Sequence, residues 1–174
     1  MNVYNLMENL SEKSKKEGNT YFYEKQFKKA MDSYTKAINL SSKEIPSKDL
    51  AIYHSNRAQT YLKLKGFSNS ISDCETAISL NSTYPKPYYI KSSDLYLMEN
   101  YKEAEKVAKI GLQSCKKGEE TEEFLELLQK IAFKNSIQNS FEEDKKDNNV
   151  LPFFLVKFLK FFCRPNFIKI LYRD

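Results

Sequence analysis

Apolar residues in this chain recur every three or four positions over several stretches of similar length. Phe27, Ala30, Tyr34, Ala37 and Ile38 make one such stripe, Phe67, Ile71, Cys74, Ala77 and Ile78 a second, and Phe124, Leu127, Leu128 and Ile131 a third. This interval places each set on one face of an α-helix, whereas a half-buried strand alternates at every second residue. The pattern predicts an all-α chain with helices over about 11–24, 27–40, 67–80, 84–98, 101–114 and 119–138, and a further one, third in order, around 51–64. Ser47 or Asp49 suits the N-cap of the third helix, and Gly66 suits a left-handed C-cap at its end. Pro85 or Pro87 falls in a first helical turn, where a missing N–H is tolerated. Residues 1–10 read as a frayed lead-in whose Leu6 and Leu10 cover the edge of the first helix pair. Residues 139–149, charged and poor in apolar side chains, read as a solvated polar linker.

The helices repeat in pairs. Laid over Pro85, a step of 34 residues, the segment from Ala51 puts Ala77 on Gly111, Ser70 on Ala104 and Cys74 on Ala108. Laid over Ser11, a step of 40, it puts Ala58 on Gly18, Tyr61 on Tyr21, Ser70 on Ala30 and Ala77 on Ala37. The additional residues belong to the polar connector Lys43–Lys48. Three units follow, 11–44, 51–84 and 85–118, with small side chains wherever two helices must approach closely. A 34-residue helix-turn-helix unit of this kind resembles the tetratricopeptide repeat. Gly18 and Tyr21 stand at the family's first-helix positions, and Ala30, Tyr34 and Ala37 at those of the second. The tryptophan site holds Ser14, His54 and Tyr88 instead, and the closing proline is replaced by Ser42, Ser82 and Lys116. The resemblance implies three hairpins stacked in a right-handed superhelix. Stacked repeats leave the last one uncovered, so 119–138 is assigned as a capping helix. Its Glu119, Glu120, Glu122 and Glu123 suit the positive end of the helix dipole.

Charge changes the picture only once it is located. Most of the net +5 lies in residues 150–174, where Lys157, Lys160, Arg164, Lys169 and Arg173 face a single acid, Asp174. The rest is near neutral and lacks the basic stripe with interleaved aromatics that nucleic-acid binding requires. Cys74, Cys115 and Cys163 are far apart and form no metal-ligand spacing, which fits a reduced compartment. The first residues lack the basic head and apolar run of a secretory signal, so the expected location is cytoplasmic. Leu151–Ile170 is rich in phenylalanine but broken by Lys157, Lys160 and Arg164-Pro165, and does not reach the ~20 mostly apolar residues of a spanning helix. On a helix those three bases share one face. That suits an interfacial helix on an anionic membrane, a piece that docks on a partner, or the opening of a second domain.

No catalytic set can be nominated, and no cofactor or metal is called for. His54 is the chain's one histidine and sits where the family has a core aromatic; no phosphate-cradling glycine loop is present. In tetratricopeptide arrays the first helix of each pair lines a concave groove. With Gly18, Ala58 and Ser92 as packing positions, the groove set becomes Lys15, Asn19, Phe22 and Tyr23, then Ile52, Ser55, Asn56, Gln59 and Lys63, then Lys86, Tyr89, Ile90 and Ser93. Lys15, Asn19, Asn56 and Lys86 resemble the dicarboxylate clamp of co-chaperones that grip the acidic C-terminal peptide of heat-shock protein 90 or 70. By that resemblance Lys15, Asn19 and Asn56 hold the terminal carboxylate and Lys86 the neighbouring acidic side chain or backbone. Ile90 stands where the clamp has an arginine, and Lys91 or Lys63 is the candidate substitute. Tyr88-Tyr89 after Lys86-Pro87, and Gly111-Leu112-Gln113, further resemble tetratricopeptide repeat protein 4 co-chaperones. The implied function is a non-catalytic adaptor; a scaffold that never meets a chaperone and a receptor tethered to a membrane by 150–174 are the alternatives.

Overall fold

The computed structural model describes residues 3–41, 47–115 and 119–147. These form seven helices and, among the described residues, no strand: α1 (Val3–Tyr23), α2 (Phe27–Leu40), α3 (Ser47–Lys63), α4 (Phe67–Leu80), α5 (Lys86–Leu97), α6 (Tyr101–Ser114) and α7 (Glu119–Asp147). α1 packs on α2, α3 on α4 and α5 on α6 as hairpins, and each hairpin packs on the next through α2 with α3 and α4 with α5. α7 covers the last hairpin by lying against α6. The odd-numbered helices neighbour one another, α1 with α3 and α3 with α5, and so make one wall.

The hairpins turn by one device used three times. Lys25, Lys65 and Glu99 have φ of 60°, 60° and 61°. The following residue returns a hydrogen bond five residues back: Gln26 N to Tyr21 O at 2.8 Å, Gly66 N to Tyr61 O at 2.9 Å and Asn100 N to Leu95 O at 2.9 Å. Each is a Schellman ending that satisfies carbonyls left open at the helix C-terminus. The expected left-handed cap at Gly66 is therefore corrected: Gly66 has φ −85° and precedes α4, and Lys65 takes the left-handed place.

Small residues set the spacing. Ala30, Ala37, Ala58, Ala77, Ala104 and Ala108 are all fully buried, and a Cβ on Gly18 would lie 2.6 Å from the Tyr34 ring. Across the second hairpin Ser70 Oγ donates to Ala58 O at 2.9 Å; across the third Ser92 Oγ donates to Ala104 O at 2.7 Å. The hydroxyl changes helix between the two repeats, yet it bridges the same pair of positions. Phe124, Leu127, Leu128 and Ile131 of α7 close a core with Tyr88, Leu95, Val107 and Ala108. Cys74 packs with Ala58 and Ile90, as its stripe position implied.

Polar staples tie α3 to α4 and, through one bond, to α2 of the first hairpin. Arg57 donates to Asp73 through Nε (2.7 Å) and Nη2 (2.8 Å) and to Thr35 Oγ1 through Nη1 (3.2 Å). His54 Nδ1 lies 2.8 Å from Asp73 Oδ1, so the histidine is held between α3 and α4. Burial pushes the Asp73 carboxyl up, but hydrogen bonds from Arg57 and His54 outweigh it and hold the group below the usual carboxylate range.

Two boundaries differ from the sequence reading. α1 begins at Val3, so residues 3–10 continue the first repeat's helix; no Gly or Pro interrupts the chain before Gly18. Leu6, Met7 and Leu10 are 48%, 37% and 40% exposed and cover little. α7 runs to Asp147, so the stretch expected as a linker is helical for most of its length; it too holds no Gly or Pro. The aromatic and basic run with Lys157, Lys160 and Arg164 lies outside the described residues. Among the described residues no helix is long and apolar enough to cross a membrane.

Candidate functional site

The wall made by α1, α3 and α5 carries polar residues at helical spacing, and three of them meet. Tyr34 Oη donates to Asn19 Oδ1 at 2.7 Å, Asn56 Nδ2 donates to the same oxygen at 3.3 Å, and Lys86 Nζ donates to Asn56 Oδ1 at 2.9 Å. One chain of hydrogen bonds thus links all three hairpins. It also orients the amides. With Asn19 Oδ1 occupied twice, its Nδ2 is left to donate elsewhere; Asn56 and Lys86 likewise keep donors beyond those used. Tyr34, buried beneath the chain by α2, has its phenol pushed up by burial, so it remains a donor.

These residues line a depression of about 350 Å³ with Phe22, Tyr23, Tyr34 and Gln59. Its lining contains one cation and no acid. Burial lowers the Lys86 pKa, because its ammonium is partly desolvated without a carboxylate beside it. A second depression, of about 430 Å³, shares Gln59 and Lys86 with the first and continues the groove toward α7. Tyr89 and Phe124, ring centroids 5.6 Å apart at 87°, form its aromatic wall, with Lys63 and Glu123 also lining it.

Asn19, Asn56 and Lys86 are brought together. Lys15 lies one turn before Asn19 on α1, outside both depressions, with its ammonium 2.7 Å from Glu12. Phe22 and Tyr23 line the first depression, Lys63 and Tyr89 the second, and Gln59 both. Ile90 is only 2% exposed; it belongs to the core with Ala58 and Cys74 and reaches no farther than the floor of the second depression. Ser55 is corrected as well. It is fully buried with its Oγ unpartnered, because one residue before Asn56 is ~100° around the helix. Lys91, the other candidate substitute for the missing arginine, lies outside both depressions with its ammonium 2.8 Å from Glu75 of α4.

Sequence reasoning missed Tyr34, Glu12, Glu123 and Phe124. Tyr34 was legible only as part of a core stripe, and nothing in its spacing reveals that its hydroxyl reaches Asn19. Glu12 was within view, three residues before Lys15 on the same face. The α7 residues join the groove through packing alone.

Residues 16–44 match the tetratricopeptide repeat family. Over 93 residues the chain is 36% identical to a DnaJ homolog subfamily C member 7 homolog of Dictyostelium discoideum, which is 53% of this chain and 17% of that protein. The chain spans 13 to 17% of the first curated relatives it matches. Among solved structures it is similar to the first TPR of Spaghetti (RPAP3) bound to the HSP90 peptide SRMEEVD: 27% identity, 74% of this chain, 95% of that one and a TM-score of 0.65. The TPR2B domain of yeast Sti1 in complex with pHsp70 gives 26%, 70%, 95% and 0.63. Stacked hairpins, small-residue spacing and these matches agree: the chain carries a tetratricopeptide repeat domain whose structural neighbours are the Hsp90- and Hsp70-binding domains of co-chaperones.

Proposed function

We propose that the concave wall of α1, α3 and α5 binds the acidic C-terminal peptide of a heat-shock chaperone of the 90 or 70 class, and that the chain acts as a non-catalytic adaptor. The observation that carries this reading is the hydrogen-bonded run Asn19–Asn56–Lys86, which gathers donors from three successive hairpins at a depression without an acid. A terminal aspartate presents two carboxylates, and charge-assisted hydrogen bonds are about twice as strong as neutral ones. Asn19 and Asn56 would hold the main-chain carboxylate, and Lys86 would gain the counter-charge it lacks. Lys15 joins by exchanging Glu12 for the ligand. With Ile90 buried and Lys91 tied to Glu75, Lys63 is the remaining groove cation for a second acidic side chain. The neighbour whose peptide ends in MEEVD supports this chemistry.

Calorimetric titration with SRMEEVD and with its C-terminally amidated twin tests the reading. The free acid should bind at least about tenfold more tightly, and Asn56→Ala should weaken it by roughly ten- to a hundredfold, the cost of charged hydrogen bonds. Equal binding by both twins would contradict the proposal.

A further inference from the structure

The groove opens at the edge where the first two hairpins turn, and that edge is basic. Tyr23 of the first depression is 84% exposed and stands two residues before Lys25; Lys63 of the second adjoins Leu64. Lys25, Lys28, Lys29, Phe27 and Leu64 together line a shallow depression of about 380 Å³ there, with lysines around an apolar floor. Lys65 follows directly in the chain. Elsewhere in the domain Lys15, Lys16, Lys91, Lys106, Lys109 and Lys130 pair with carboxylates, while Lys13, Lys36, Lys48, Lys63, Lys102 and Lys134 have no carboxylate at ion-pair distance among the described residues. Among the described residues Lys25, Lys28 and Lys65 have no such partner, and Lys29 has only the Tyr21 ring, 5.5 Å from its ammonium. Lys28 and Lys29 also occupy the first turn of α2, which holds no acid, although the helix dipole favours acids there. What sets this edge apart is that Lys25, Lys28 and Lys29 meet around one apolar depression whose lining holds no acid.

We infer that this edge is a second contact for the same ligand: it receives an acidic segment lying N-terminal to the anchored carboxylate, as the ligand chain leaves the groove past Tyr23 and Leu64. The inference rests on the groove reading above and adds to it a preference for chain length and upstream charge. Exposed pairs of this kind are individually weak and screened by salt. Three of them acting together should tighten binding by about three- to tenfold at low ionic strength.

The test uses the full chain and three peptides: SRMEEVD itself, the same peptide preceded by a run of glutamates, and the same peptide preceded by a run of serines. The glutamate peptide should bind about three- to tenfold more tightly than the serine peptide, with the gain fading as salt is raised. The Lys25→Gln, Lys28→Gln, Lys29→Gln triple variant should lose that gain while binding SRMEEVD unchanged. If the short peptide binds but glutamates add nothing, or if the gain survives in the triple variant, the edge contact is overturned alone. If the short peptide does not bind, the groove reading falls and takes this one with it. Flotation of the full chain on anionic vesicles, abolished by the triple variant while glutamates add nothing to peptide binding, assigns the edge to a membrane and overturns the inference.

Discussion

Asp94 occupies the place in its repeat that Thr60 fills one repeat earlier, and both are fully buried. Thr60 spends its hydroxyl on Asn56 O at 2.9 Å, whereas neither carboxyl oxygen of Asp94 is satisfied, because the nearby Ser70 hydroxyl donates to Ala58 O instead. Burial pushes the Asp94 pKa from 3.8 up to about 7. The sign follows: between those values the folded chain keeps a proton that the unfolded chain has released, so stability falls as pH rises through the window. The full penalty above pH 7 is about 4 kcal/mol at most. Asp94→Asn should therefore match the parent near pH 4 and exceed it increasingly toward pH 8. Urea midpoints at several pH values check this, and parallel profiles for the two proteins would sink it. At this scale the sequence is mute: an aspartate on a helix is ordinarily solvated, and only the packing of α5 on α4 makes this one costly.

At the scale of the element, much was legible. The stripe of Phe27, Ala30, Tyr34, Ala37 and Ile38 predicts a helix over 27–40, and α2 is Phe27–Leu40. Small residues at recurring places predicted where helices touch, and Gly111 gives the sharpest case. A Cβ there would lie 2.5 Å from the Phe124 ring and 2.6 Å from Tyr88 Cβ. The ring can tilt, but Tyr88 Cβ moves only with its helix. Gly111→Ala should cost about 1–3 kcal/mol, the usual penalty of overpacking. Denaturant unfolding measures it, with exposed Gln113→Ala as the control; an unshifted midpoint for Gly111→Ala would refute the close contact. Less legible were the ends. Gly66 attracted the left-handed assignment because glycine adopts that geometry most cheaply, yet the hairpin's length puts Lys65 there. The polar stretch after residue 138 looks the same as linker or as solvated helix, since neither requires an apolar face.

Across the whole molecule, α7 is what completes the stack. Phe124, Leu127, Leu128 and Ile131 are 1%, 6%, 2% and 0% exposed, and burying each such side chain contributes about 1.5–3 kcal/mol. Together they rival the ~5–15 kcal/mol by which a domain of ordinary size is stable. A chain ending at Ser114 should lose its cooperative melting transition, and a sharp unfolding curve by circular dichroism for that chain would count against the capping role. The same helix finishes the groove, because Phe124 forms its aromatic wall while Glu123 sets a charge in its lining. By itself the sequence determined the helices, their pairing and the three-fold repetition, because the spacing of small and apolar residues constrains each of these locally. Tertiary structure alone decided that Asn19, Asn56 and Lys86 share hydrogen bonds, that Ile90 faces the core and that Leu64 joins Lys25, Lys28 and Lys29 at one edge. Those outcomes depend on distances between residues far apart in the chain, which the periodicity of any single helix does not encode.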